Sequence, residues 1–452
     1  MDLIMLIQIL ACLITCIVLL FHLVTDFSFG DKMKSIISLI SLLILILIFT
    51  GCGQEPTPTL YENFNSGNNP PPVVTSIEPA DSAYMGVDVI TINGNYFAPG
   101  LLNDSNLVSF NGVKGEIIEA TATQLKVRVP MLNTDLMALK DSVVGIKVWS
   151  RGSSLFSDSL VYKIKAPVKL YATIDPNVKT INRGITVDQS ENLFVSVFND
   201  NVMMITPNGS ITDYGIKGGE SFWNNLKMGP GNSLHACTEI FWVVFTYDAP
   251  STNPNPLYIL PKESAVVKDF DFDKDLNIWS GSRNGIIYGI NTSNSSYNEF
   301  NLFNRVESVR YFNNNLYVAA QVDSNFSIYK IPVNSISSLG TPEKFFDVTS
   351  TFGDKQLIPK SLTLDRDENI YLAIDAPNTS MIRINSSGNY EPFYNEVMNY
   401  RVTNIAWGNN NYLYATVLLE NDVTTTSDDE SKIVKIDMKD KRSAPYYGRG
   451  DL

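Results

Sequence analysis

The sequence predicts an all-β chain, a small β-sandwich followed by a six-bladed β-propeller. Three observations carry this. Apolar and polar residues alternate in short runs between positions 73 and 164, with turn dipeptides between the runs. Beyond Pro167 a unit of about 40 residues recurs six times. The third is composition: the chain has 452 residues, 44% hydrophobic and 18% charged, with 27 Gly and 22 Pro. This composition excludes disorder, a collagen-like repeat and a polytopic membrane protein, and a formal charge of −13 excludes the basic face that nucleic acid requires. The length allows two to four domains.

The N-terminal region is apolar twice over. Residues 3–24 form one run with no basic residue ahead of it, since Asp2 stands where an export signal carries its positive charge. A second run over 36–49 follows Met33-Lys34 and ends in Phe49-Thr50-Gly51-Cys52. That ending resembles the lipobox of bacterial lipoproteins, which implies lipidation of Cys52, a membrane anchor and a location in the cell envelope. Gly53 in second place, by the same resemblance, implies the outer membrane, with the periplasmic or surface face left open. Either both runs form a membrane hairpin or translation starts at Met33; the order of basic, apolar and small residues favours Met33. Residues 52–72, with Pro56, Pro58 and Pro70-Pro71-Pro72, read as an extended tether.

Residues 73–165 form the sandwich. Leu125, Val127 and Val129 alternate with Lys126 and Arg128, and Val144, Ile146 and Val148 alternate with Gly145 and Lys147. Each run is a strand with one wet face, and Asn93-Gly94 and Asn111-Gly112 are turns. The order Ile77-Glu78-Pro79, Gly86, Val89-Ile90-Thr91-Ile92-Asn93-Gly94-Asn95-Tyr96-Phe97, Val108-Ser109-Phe110-Asn111-Gly112 and Leu160-Val161-Tyr162 resembles an IPT/TIG domain. The resemblance implies an immunoglobulin-like fold used as a spacer or binding module, with no catalytic residue to carry over. Trp149, after Val148 on a strand, is expected to pack and not to serve as a sugar platform.

Residues 166–452 carry the repeats. In each, an apolar strand, a polar turn and a second apolar strand recur, with first apolar positions at Ile185, Leu226, Phe270, Val309, Leu362 and Ile405. The spacings of 41, 44, 39, 53 and 43 residues suit four-stranded blades that bury their faces by stacking into a ring. The pattern resembles an NHL-type or SMP-30-like propeller. Lactonases of that kind imply a channel-lining Glu with Asn and Asp partners, and streptogramin-lyase-like propellers imply a catalytic His; neither set can be placed on these repeats.

Cysteines 12, 16, 52 and 237 and histidines 22 and 235 are too few past Cys52 for a Cys/His zinc cage or a disulfide framework, and no cofactor is expected. Asp271, Asp273, Asp275 and Asn277 start like a calcium loop, but Leu276 and Ser282 stand where the Gly and the bidentate Glu belong. Asp188 and Asp365 occupy the place of Asp273 in their own repeats, so these are expected to be turn residues. His235 replaces an aromatic of other repeats and is expected to pack between blades. Arg183, Lys268 and Lys360 stand two residues before the first apolar position of blades one, three and five, with Arg305 and Arg401 nearby and Arg283 on a loop of the same face. These cations are expected to ring the channel mouth. The expected function is an envelope lipoprotein presenting a propeller to a glycan or protein ligand. The alternatives are a propeller hydrolase or lyase and a purely structural envelope component.

Overall fold

The computed structural model describes residues 69–451 except 102–104, 176–181, 217–222, 239, 249–252, 262–265, 375–378, 399 and 420–429. Both N-terminal apolar runs, Met33, Cys52 and nearly all of the tether lie outside the described residues. Among the described residues no helix is long and apolar enough to cross a membrane.

The first domain is a sandwich of two sheets. One orders Val73–Glu78, Val89–Asn95, Gln124–Arg128 and Glu116–Ala120; the other orders Ala83–Tyr84, Leu160–Lys165, Ser142–Ser150, Asn106–Phe110 and Val113–Lys114. The alternation read from sequence is the burial alternation. Leu125 and Val127 are fully buried while Lys126 and Arg128 pair outside with Glu119 and Glu116. Trp149 donates through Nε1 to Ser153 O at 2.9 Å, inside the strand's own turn.

Six antiparallel sheets follow as blades, five of four strands and one, the fourth, of five, where the long strand Asn325–Ser335 pairs with both Ser338–Leu339 and Glu343–Asp347. Their innermost strands are Asn182–Val187, Asn225–Gly229, Val267–Phe272, Arg305–Phe312, Pro359–Leu364 and Arg401–Trp407. Each packs against the next, and the sixth packs against the first, which closes the ring. Blade 6 takes its outer strand, Val168–Ala172, from the start of the domain; this strand pairs with Glu430–Asp437. The ring therefore closes through the chain's own distant segment, and no blade is left with an unpaired edge where closure matters.

Two repeated devices fix the blades. At the end of the inner strand, Asp188, Asp273 and Asp365 each accept two backbone N–H bonds from the turn, from residues two and four positions on, at 2.8–3.0 Å. Each also accepts the side-chain amide of the Asn that follows, so these aspartates do the work of Asx turns. Between blades, Asp269 accepts from Ser308 Oγ at 2.7 Å and Val309 N at 2.8 Å, Ser308 Oγ accepts from Leu362 N at 3.2 Å, and Ser361 Oγ accepts from Ile405 N at 3.4 Å. A polar side chain on one blade thus satisfies a backbone donor on the next, groups that would otherwise be buried unpaired.

The blades stack on one another as the repeats predict, but blades 5 and 6 are also buried against the Ig-like domain. One apolar core runs from Ile90, Val127 and Val148 in the sandwich through Val168 into Phe393, Val397, Val402 and Leu413 of blades 5 and 6. Tyr84 Oη donates to Asp437 Oδ2 at 2.6 Å, and Lys439 pairs with Asp88. Gly86, at φ +67°, sits where a Cβ would meet Met131 Sδ at 2.6 Å and Val397 at 3.1 Å, so the approach of the two domains needs the missing side chain. Sequence could not show this contact, because alternation on a strand gives the buried face but not what buries it.

Candidate functional site

The inner strands carry a β-bulge near their starts, where register shifts between Asn182 and Ile185, Val267 and Asp269, Val306 and Ser308, Pro359 and Ser361, and Val402 and Asn404. The bulged residues are Arg183 with Gly184, Lys268, Glu307, Lys360 and Thr403; in blade 2 Asn224, whose N–H reaches Cys237 O at 2.9 Å, stands in the same place. A bulge takes one residue out of the ladder and re-aims its side chain. Arg183, Lys268 and Lys360 are therefore structurally equivalent positions on alternate blades. Arg305 and Arg401 begin the inner strands of blades 4 and 6, and Arg283 lies in the exposed turn after Ile278–Ser282 at the same end of the ring.

Arg283 is exposed, but the other five are half-buried. Beside them stands Glu307, which the repeat pattern did not single out; its side chain is 1% exposed, with Lys268 Nζ at 3.6 Å and the Arg305 guanidinium against it. The two cations are the partners of the Glu307 carboxylate among the described residues, held by charge rather than by aligned hydrogen bonds. The available signal was positional: Glu307 stands two residues before Val309, just as Lys268 stands two before Phe270.

The opposite end of the ring, where the inner strands finish, is plugged by the C-terminal segment 443–451. Ala444 N bonds Leu364 O at 2.9 Å in blade 5, and Arg310 Nη2 of blade 4 donates to Pro445 O at 2.9 Å and Ala444 O at 3.2 Å. The Tyr446 ring lies 3.6 Å under the Arg310 guanidinium, and its hydroxyl meets Thr363 Oγ1 at 2.7 Å. Gly448 passes so close to blades 2 and 3 that a Cβ would meet Met228 O at 2.5 Å and the Phe272 ring at 2.3 Å. Arg449 then donates to Trp407 O at 2.8 Å in blade 6 and Val187 O at 3.4 Å in blade 1. All six blades touch the plug. Beneath it, burial alone would pull the Lys227 ammonium down, but Asp269, 3.9 Å away, and Asp271 hold it above its ordinary value.

His235 packs edge-on against Phe272 of blade 3 at 5.2 Å, between blades as expected, and burial pulls its imidazole down to about 4. A proton that the unfolded chain takes up below 6.5 is refused by the folded chain down to about 4. Stability is therefore lost as pH is lowered from 6.5 to about 4, by on the order of 3 kcal/mol from this group. Chemical denaturation at pH 7 and pH 4.5 checks it: the His235→Phe variant should lose less stability between the two than the native chain. Cys237 is buried and its thiol pushed up, which leaves it inert. Among the described residues no group of three or more His, Cys, Asp or Glu side chains is placed to hold a metal ion.

These features define an all-β protein in which an Ig-like domain is packed on a six-bladed propeller plugged at one end. Residues 72–164 match the family described as the IPT/TIG domain. No curated protein matches the chain. Among solved structures the chain is similar to an auxiliary nutrient binding protein from Bacteroides thetaiotaomicron, at 11% identity over 81% of this chain and 98% of that one, TM-score 0.47. It is also similar to a gluconolactonase from Xanthomonas campestris (13% identity, 57% of this chain and 86% of that one, TM-score 0.45). A third is the virginiamycin B lyase of Staphylococcus aureus (17%, 59% and 99%, TM-score 0.44). At these scores the propeller assignment rests on the six sheets and their closure.

Proposed function

We propose that the chain is an envelope lipoprotein, anchored through Cys52, that binds a ligand bearing anionic groups, a uronate glycan or an acidic peptide, at the unplugged end of the propeller. One observation supports this most: equivalent bulges on alternate blades present Arg183, Lys268 and Lys360 at one end of a ring whose other end is filled. Arg305, Arg401 and Arg283 add positive charge at that end, within a chain of net −13. An excess of positive charge, offset in part by Glu307 against Lys268 and Arg305, attracts ligands of the opposite sign.

Binding of oligogalacturonate, measured by calorimetry, should weaken as salt shortens the Debye length to about 8–10 Å and below. Arg183→Ser with Lys360→Ser should weaken it by at least about ten-fold, roughly 1.4 kcal/mol. Lys268→Ser should be made together with Glu307→Gln, because alone it strips the buried carboxylate of a partner. Unchanged affinity in these variants would overturn the assignment of the site. Loss of the membrane fraction on Cys52→Ser tests the anchor.

A further inference from the structure

A cleft of about 620 Å3 lies between the Ig-like domain and blades 5 and 6, lined by none of the channel residues described above; Glu116 and Arg128 stand on one side and Arg383, Glu391 and Tyr394 on the other. Its size falls in the range of small-ligand sites, and domain junctions are where such sites form. Both walls are fixed in place. The Tyr84–Asp437 bond, the Lys439–Asp88 pair and the shared apolar core lock the two domains together, so a ligand meets a preformed site and little ordering is needed on binding.

The chemistry of the walls is unusual in its balance. Four acidic and four basic side chains line the cleft. On the Ig-like wall Arg128 Nε pairs with Glu116 Oε2 at 3.0 Å; on the propeller wall Arg383 Nη2 pairs with Glu391 Oε1 at 2.8 Å. The two carboxylates remain 69% and 58% exposed, so each pair offers unused acceptors beside planar donors. Between them Tyr394 is held at φ +47°, a costly conformation for a bulky residue, with Phe393 stacked on its ring at 4.1 Å and 18°. Strain of this kind persists where the surroundings impose it, and it gathers at ligand sites.

We propose that this cleft binds a short neutral oligosaccharide. A charged ligand gains little where acidic and basic side chains are equal in number and both arginines are already paired. A run of hydroxyls can donate to Glu116 and Glu391 and accept from Arg128 and Arg383 at once, forming charge-assisted hydrogen bonds on both walls, with a part-exposed tyrosine ring beside them. A peptide fits less well. The strand bordering the cleft, Tyr390–Pro392, has three residues and ends in a proline without an N–H, so it offers no ladder for an added strand.

The test is a panel of neutral tetrasaccharides (cello-, xylo-, manno- and maltotetraose) titrated into the full chain in a detergent without a sugar headgroup, with tetragalacturonate run in parallel. The expected result is binding of at least one neutral tetrasaccharide that changes less than two-fold between 0.05 and 0.5 M NaCl. It should fall ten-fold or more in Arg383→Met and in Glu391→Gln, and stay unchanged in Arg183→Ser with Lys360→Ser. Both cleft substitutions lie on a part-exposed pair, and their melting temperatures report whether the fold is intact. Absence of binding by every neutral tetrasaccharide, or binding indifferent to Arg383→Met and Glu391→Gln, overturns the proposal. Salt-sensitive binding of tetragalacturonate speaks only to the channel end, so the two sites fail or succeed separately.

Discussion

Replacing Arg310 with Met lowers the stability of the propeller by about 3–5 kcal/mol, the cost of leaving a buried carboxylate without its partner. Arg310 is fully buried, its Nη1 paired with Asp271 Oδ2, which also accepts the Tyr311 N–H at 2.8 Å. The same guanidinium holds the plug through the carbonyls of Ala444 and Pro445 and the ring of Tyr446. Two losses are therefore expected together. The melting temperature should fall by roughly 6–15 °C by scanning calorimetry, and carboxypeptidase should trim the segment 443–451 that the native fold protects. Pairing Arg310→Met with Asp271→Asn removes the stranded charge and should recover much of the stability while leaving the plug loose. A single variant with native melting temperature would show that the pair contributes nothing.

The second large effect concerns ring closure. A chain beginning at residue 166 should fold to an all-β product with one cooperative transition, less stable than the whole because it bares the face of Phe393, Val397 and Val402 that the sandwich covers. A chain beginning at residue 176 should not. It lacks Val168–Ala172, so Glu430–Asp437 becomes an open edge and the side chains of Val168 and Ala172 leave the core. Circular dichroism and analytical ultracentrifugation distinguish the two; a folded, monomeric product from residue 176 would mean that five blades and a three-stranded sixth suffice.

The sandwich strands and the number of blades were legible in the sequence because each strand records burial locally, whereas the fifth strand of blade 4 was not. Leu125 and Val127 against Lys126 and Arg128 state which face is wet, and Asp188, Asp273 and Asp365 recur because the same turn must be made in different blades. The equivalence of Arg183, Lys268 and Lys360 was legible for the same reason: a repeat carries its register with it.

What only the tertiary structure decided depends on residues far apart in the chain. Glu307 becomes a buried partner of Lys268 because a bulge turns it inward beside the neighbouring blade. The C-terminal residues Tyr446 and Arg449 look like any polar tail in sequence. They become a plug because six strand ends converge with carbonyls and an Arg–Asp pair at the place they reach. The cleft between Arg128 and Arg383 exists because two apolar faces, each complete in its own alternation, bury their remainder against each other. Local patterning fixes which atoms avoid water; which distant surface removes them from it is settled only when the chain closes.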